Sequence, residues 1–133
     1  MIELPIVIRP YDIDFAGIVN NQVYVRWLED LRTELWERVR GIDQTLAEDL
    51  LPVLSETTVQ YKRPLKLGDK PVGRMWVSST TTIRIMLQAE FRQGEVIYAT
   101  ASHTLALVSA STLRPARLPA GMLQGLLGEM SGQ

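Results

Sequence analysis

The chain has 133 residues, a length that fits one domain able to bury a hydrophobic core without disulfide or metal staples. With no cysteine and one histidine, it has no disulfide or thiolate metal site and few soft ligands for zinc or another transition metal, so no metal centre is expected. Its 14 basic and 15 acidic residues leave a formal charge of -1 and are interspersed along the chain, which argues against a broad electrostatic surface for nucleic acid.

The segment Met1-Ile2-Glu3-Leu4-Pro5 lacks a basic stretch followed by a long apolar run, and no later stretch approaches about 18 uninterrupted apolar residues. The expectation is a soluble cytoplasmic protein without a membrane partner. Residues 4–8 read as a first strand, rich in branched apolar side chains and ending before Pro10. A loop follows, and Asn20 or Asn21 can cap the next segment, where Tyr24, Trp27, Leu28, Leu31, Leu35 and Val39 recur every three or four residues. That periodicity predicts a helix stopped by Gly41. Its polar residues, Arg26, Glu29, Asp30, Arg32, Glu37 and Arg38, read as a solvated or interfacial face, and Trp27 and Trp36 as core or subunit contacts.

A short helical patch over residues 43–49 precedes four strands at 53–63, 71–78, 82–92 and 95–108. The third alternates cleanly. Ile83, Ile85, Leu87, Ala89 and Phe91 share one face, and Thr82, Arg84, Met86, Gln88, Glu90 and Arg92 the other, as in a sheet with one buried face. Gln93-Gly94 marks a tight hairpin into the last strand. Residues 66–70, centred on Gly68-Asp69, read as a turn that makes the first two of these strands antiparallel neighbours. A terminal helix is expected at 121–130, with Met122, Leu123, Leu126 and Leu127 on its apolar edge. No repeat, low-complexity segment or linker divides the chain, so 1–133 reads as one domain. A strand, a long helix and hairpin-linked strands describe an α+β domain whose curved sheet can wrap the helix.

Chemistry is concentrated in the loop Arg9-Pro10-Tyr11-Asp12-Ile13-Asp14-Phe15-Ala16-Gly17-Ile18-Val19-Asn20-Asn21. It sets two carboxylates and a glycine against a helix N-terminus, whose unpaired N–H groups and positive partial charge suit carbonyl chemistry. Asp14 is the candidate base or nucleophile, with an Asx-turn or a helix-preceding cap as its alternative role. Asp12 reads as holding the loop by hydrogen bonds, and Gly17 as allowing a backbone conformation or close approach that a side chain would obstruct. His103 shares a strand face with Ala99, Ala101, Leu105 and Leu107 and reads as a buried or interface histidine satisfied by a hydrogen bond. No Gly-x-Ser-x-Gly elbow or triad accompanies it, which disfavours serine hydrolase chemistry.

The spacing of Asp12, Asp14, Ala16, Gly17, Ile18 and Val19, followed by Tyr24, resembles the hotdog-fold thioesterases, particularly the 4-hydroxybenzoyl-CoA thioesterase group. Tyr61-Lys62-Arg63-Pro64-Leu65-Lys66-Leu67-Gly68-Asp69 resembles the family's Tyr-x-x-Pro-x-x-x-Gly-Asp segment, and Arg114-Pro115-Ala116-Arg117-Leu118-Pro119 its closing segment. The resemblance implies a hotdog fold, a curved antiparallel sheet wrapped around one long central helix, and hydrolysis of acyl-CoA thioesters without a cofactor. By position it implies Asp14 as nucleophile or as base for water and the backbone N–H of Asn21 as oxyanion donor, with Asp12, Gly17 and Asn20 shaping the loop. Tyr24, Lys62, Arg63 and Arg84 are candidate substrate contacts, the cations together with Lys66 and Arg92 being candidates for the phosphates of coenzyme A, with a solvent-facing strand position as the alternative for each. The family further implies a homodimer joined edge to edge, or a homotetramer, with sites at subunit boundaries. An aromatic side chain stands at the position of Asn21 in the hydroxybenzoyl branch, so benzoyl specificity does not carry over. The rival to an enzyme is a non-catalytic acyl-CoA or acyl-carrier binding module of the same fold.

Overall fold

A computed structural model describes residues 1–130, and residues 131–133 of the expected domain lie outside it. The elements in chain order are β1 (Ile2–Pro5), α1 (Asn21–Val39), α2 (Ile42–Ala47), β2 (Leu50–Tyr61), β3 (Val72–Thr80), β4 (Arg84–Gln93), β5 (Val96–Ser109) and α3 (Ala120–Gly128). The five strands form one antiparallel sheet in the order β1-β3-β4-β5-β2. It curves around α1, giving the hotdog arrangement.

Helix α1 starts where Asn20, in extended conformation, accepts the Gln22 N–H on its side-chain oxygen at 2.9 Å. It ends where Gly41, at φ +84°, donates its N–H to the Trp36 carbonyl at 2.8 Å. Between these caps, Val23, Tyr24, Trp27, Leu28, Leu31, Leu35, Trp36 and Val39 are buried. Burying a large apolar side chain contributes roughly 1.5–3 kcal/mol, against helix propensities that differ by at most about 0.7 kcal/mol among ordinary residues. Packing against the sheet therefore holds α1 in place.

On the sheet side, Met75, Val77, Ile85, Leu87, Ala89, Phe91, Ala99, Ala101, Leu105 and Leu107 face the helix. The alternation expected of the third strand is present in β4, where Ile85, Leu87, Ala89 and Phe91 are buried. The hairpin to β5 turns on Gly94-Glu95, with Gly94 at φ +60° and Gln93 paired with Val96. Trp27 and Trp36 lie in the core, and the Trp36 indole donates to Thr45 Oγ1 at 3.0 Å. Helix α3 packs on the end of α1 so closely that a Cβ at Gly125 would fall 2.5 Å from the Val39 carbonyl oxygen.

Two expectations are corrected. The turn at residues 66–70 does not make β2 and β3 neighbours: β2 pairs with β5 at the far edge of the sheet, and β3 lies between β1 and β4. The connection crosses the mouth of the sheet instead, burying Leu65 completely and offering its carbonyl to the Val19 N–H at 2.8 Å. Turn residues reverse a chain but do not choose its next partner. The first strand is Ile2–Pro5 rather than residues 4–8, because its ladder partner β3 begins at Val72, opposite Pro5. No described helix is long and apolar enough to cross a membrane.

Candidate active site

The loop before α1 is a tight, internally bonded hairpin. Ile13 and Val19 form an antiparallel bridge. Between them the Asp14 N–H donates to the Ile18 carbonyl at 2.9 Å, and the Gly17 N–H to the Asp14 carbonyl at 3.0 Å. Gly17 sits at φ +80°, which L side chains adopt only at a cost, and among the described residues no heavy atom beyond its own and its chain neighbours' lies within 4 Å of where its Cβ would be. Within this chain the backbone conformation calls for glycine there, and no close approach of another residue does.

Asp12 anchors the hairpin to the helix. Only 1 % exposed, its carboxylate accepts the Arg9 N–H at 2.8 Å and an Arg26 guanidinium N–H at 2.7 Å. Its own carbonyl accepts the Asn20 N–H at 2.8 Å. A carboxylate this buried requires such partners. These bonds tie the loop to the first turns of α1.

Asp14 is half-exposed. Its Oδ1 accepts the Ala16 N–H at 2.8 Å, so the Asx-turn is present, while Oδ2 has no hydrogen-bond partner among the described residues. The two roles weighed for this residue are compatible: one oxygen shapes the turn, and the other is available to a ligand. Asn20 performs the cap, which leaves Asn21 as the first helical residue, with no acceptor for its N–H among the described residues. The Asn21 carbonyl is pinned by the Tyr61 hydroxyl at 2.8 Å. Nineteen residues of aligned peptide dipoles stand behind that end of α1.

Lys62 and Arg63 follow Tyr61 and are exposed, with both backbone N–H groups donating to the Tyr98 carbonyl at 2.9 and 3.0 Å. They therefore lie at the same end of the sheet as the start of α1. Arg84 does not. It pairs with Ala106, roughly 25 Å from Tyr98 along β5 at about 3.3 Å per residue. Tyr24 is 2 % exposed and packs edge-on against Trp27, Tyr61 and Phe91 with ring centroids 5.2, 5.1 and 5.6 Å away. Burial, with a smaller contribution from Tyr61, pushes its hydroxyl up to about 12. Within this chain it is a core residue, packed beneath those rings.

Arg26 and Tyr61 carry roles that sequence pattern did not assign. Arg26 looked like one more cation on a solvated helix face, yet it neutralises Asp12. Tyr61 ends a strand, and only the β2–β5 register brings its hydroxyl to the start of α1. His103 is buried as expected, but among the described residues only one of its nitrogens is satisfied: Nδ1 lies 3.2 Å from Arg32 Nη1, and Nε2 has no partner there. Burial, reinforced by Arg32, lowers its pKa to about 4, so the ring is neutral at neutral pH.

A family model described as the thioesterase-like superfamily matches residues 8–126. The acyl-acyl carrier protein thioesterase ATL3 of Arabidopsis thaliana is 34% identical over 85 residues, a match covering 62% of this chain and 44% of that protein. The chain spans about half the length of such sequence relatives. Among solved structures, the probable thioesterase YbaW of Escherichia coli superposes with a TM-score of 0.87 at 20% identity, covering 98% of this chain and 100% of that one. The DHNA-CoA thioesterase of Staphylococcus aureus superposes with a TM-score of 0.77 at 19% identity, covering 87% and 79%. With a match that begins just before the Asp14 loop and runs into α3, on a sheet and helix of the same form, the chain belongs to the thioesterase-like superfamily.

Proposed function

We propose that the protein is a hydrolase of acyl thioesters, acyl-CoA in the first instance, releasing the free acid and the thiol. The observation that carries this reading is the pairing of a loop carboxylate having one unengaged oxygen, Asp14, with the unengaged Asn21 N–H at the head of α1. Attack on the carbonyl carbon drives its π electrons onto oxygen, where the Asn21 N–H and the helix dipole oppose the developing negative charge. As base, Asp14 takes a proton from the attacking water. As nucleophile, it forms a mixed anhydride that water then opens. In either route the C–S bond breaks, and the thiolate leaves and is protonated. Asp12, Gly17 and Asn20 hold the geometry, and Lys62 and Arg63 lie where they can meet phosphates of a coenzyme A tail.

The test is thiol release from a panel of acyl-CoA and acyl-carrier-protein thioesters, followed with a thiol reagent. Steady turnover of at least one of them is expected. Tight binding of acyl-CoA with no release from any of them would favour the binding-module reading instead.

Assembly belongs to the same reading. Strand β2 is a twelve-residue edge with no fully buried side chain, and a long bare edge invites pairing with another chain. A symmetric dimer joined there would be self-complementary, and a second subunit offers the one way for a cation as remote as Arg84 to reach this site. Light scattering at micromolar concentration is expected to return a dimer or tetramer. A monomer would refute the assembly and leave Arg84 without a role in binding.

A further inference from the structure

Two clefts lie in succession along one flank of α1. The first, about 430 Å³, is walled by Tyr11, Asn20, Gln22, Val25, Arg26 and Glu29 and begins at the head of the helix. The second, about 230 Å³, is lined by Arg32, Trp36, Ile42, Pro52 and Leu105, where α1, α2, β2 and β5 meet. Gln22, Val25, Glu29, Arg32 and Trp36 follow one another at three- and four-residue spacing, so they form a single stripe along the helix. Glu29 belongs to the wall of the first cleft and Arg32 to that of the second, and the two side chains are joined in an ion pair. That pair therefore stands where the two clefts adjoin along the helix.

His103 holds the pair in place. A guanidinium only donates, so the contact between Arg32 and His103 Nδ1 makes Nδ1 the acceptor and leaves the ring proton on Nε2. Arg32 is thus gripped from two sides, by Glu29 on its own helix and by a buried, neutral imidazole on β5. Beyond it the wall is mostly apolar, with Trp36, Ile42, Pro52 and Leu105 beside Thr33 and Glu37. At about 1.5 Å per residue, Glu29 lies roughly 12 Å along the helix axis from Asn21.

We infer that the Glu29–Arg32 pair, anchored by His103, is a gate that sets the length of acyl chain the protein accepts. The inference rests on the thioesterase reading, in which the thioester carbonyl sits at the Asn21 N–H and the chain runs down this flank. Medium chains end in the first cleft. Longer ones must press methylene groups against a charged pair and strip it of water, or break it, before reaching the mostly apolar cleft beyond. With the charge removed, the two clefts merge into one groove.

The experiment compares the wild type with Arg32→Met, Glu29→Gln and Arg32→Lys. It measures kcat/KM for butyryl-, hexanoyl-, octanoyl-, decanoyl-, dodecanoyl- and hexadecanoyl-CoA, and in parallel the calorimetric Kd of unhydrolysable S-alkyl-CoA thioethers of the same lengths. For the wild type both quantities should worsen once the chain outgrows the first cleft. In Arg32→Met the ratio of long-chain to medium-chain kcat/KM should rise by about tenfold or more, the scale on which a pocket discriminates apolar groups. Arg32→Lys, which keeps a cation against Glu29, should recover most of the discrimination. A merely structural role would scale all chain lengths together, and a folded Arg32→Met protein with an unchanged ratio would overturn the gate. Should Arg32→Met not fold, Glu29→Gln, altering a side chain that is 43% exposed, decides by the same ratio. If the wild type hydrolyses none of the esters, the thioesterase reading fails separately. The thioether affinities then decide the gate, which falls if variant and wild type share one length profile.

Discussion

Asp14→Asn should lower turnover on the best thioester by on the order of a hundredfold or more, the range for loss of a positioned acid–base group or nucleophile. The substitution suits the local structure. The asparagine keeps the Oδ1 that accepts the Ala16 N–H at 2.8 Å, so the turn persists, while the negative charge on the other oxygen is gone. Binding of an unhydrolysable thioether should change little, because in the proposed mechanism the residue meets the reacting carbonyl rather than the coenzyme A tail. The checks are steady-state thiol release and calorimetry on the same preparation. Near-normal turnover would remove Asp14 from the mechanism, and a large loss of binding would mean that it acts on the ground state.

Asn21→Pro addresses the oxyanion, whose expected donor is a backbone group that no side-chain deletion removes. Proline is favoured at the first helical position, since the missing N–H has no intrahelical acceptor there. It also requires its predecessor to be extended, and Asn20 already is, at φ −61° and ψ 136°. The Asn21 carbonyl that accepts the Tyr61 hydroxyl is retained, as is the cap that Asn20 makes with the Gln22 N–H. The substitution thus removes little besides one N–H. Turnover should fall by roughly a hundred- to a thousandfold, with a smaller change in ground-state binding. Asn21→Ala is the control, and because Asn20 rather than Asn21 caps the helix, it should stay within about tenfold of the wild type. Undiminished turnover in a folded Asn21→Pro protein would show that the carbonyl is polarised elsewhere.

Much of the candidate site was legible in the sequence because its parts are close along the chain. Asp12, Asp14, Gly17, Asn20 and Asn21 fall within ten residues, so turn chemistry, a capping asparagine and a helix start can be read by local rules. The partners that complete them come from elsewhere in the chain. Arg26 reaches Asp12 across the helix start, Tyr61 reaches Asn21 from the far edge of the sheet, and His103 meets Arg32 from β5. No local pattern marks any of the three, since each pairing follows from how the helix lies in the sheet.

The same division holds for the fold. Sequence by itself determined the apolar stripe of α1 and its stop at Gly41, the alternation of β4, and the Gly94 hairpin, because side-chain period and positive φ act over a few residues. Only the tertiary structure decided that β2 runs along β5 rather than β3, that β1 begins at Ile2, and that Tyr24 is enclosed by Trp27, Tyr61 and Phe91. A strand's own residues specify which face is buried, but its neighbour depends on how all five strands cover one helix. Loop-closure entropy grows only slowly with loop length, so the long connection through Leu65 imposes little penalty on placing β2 at the opposite edge. Packing around α1 then settles the order.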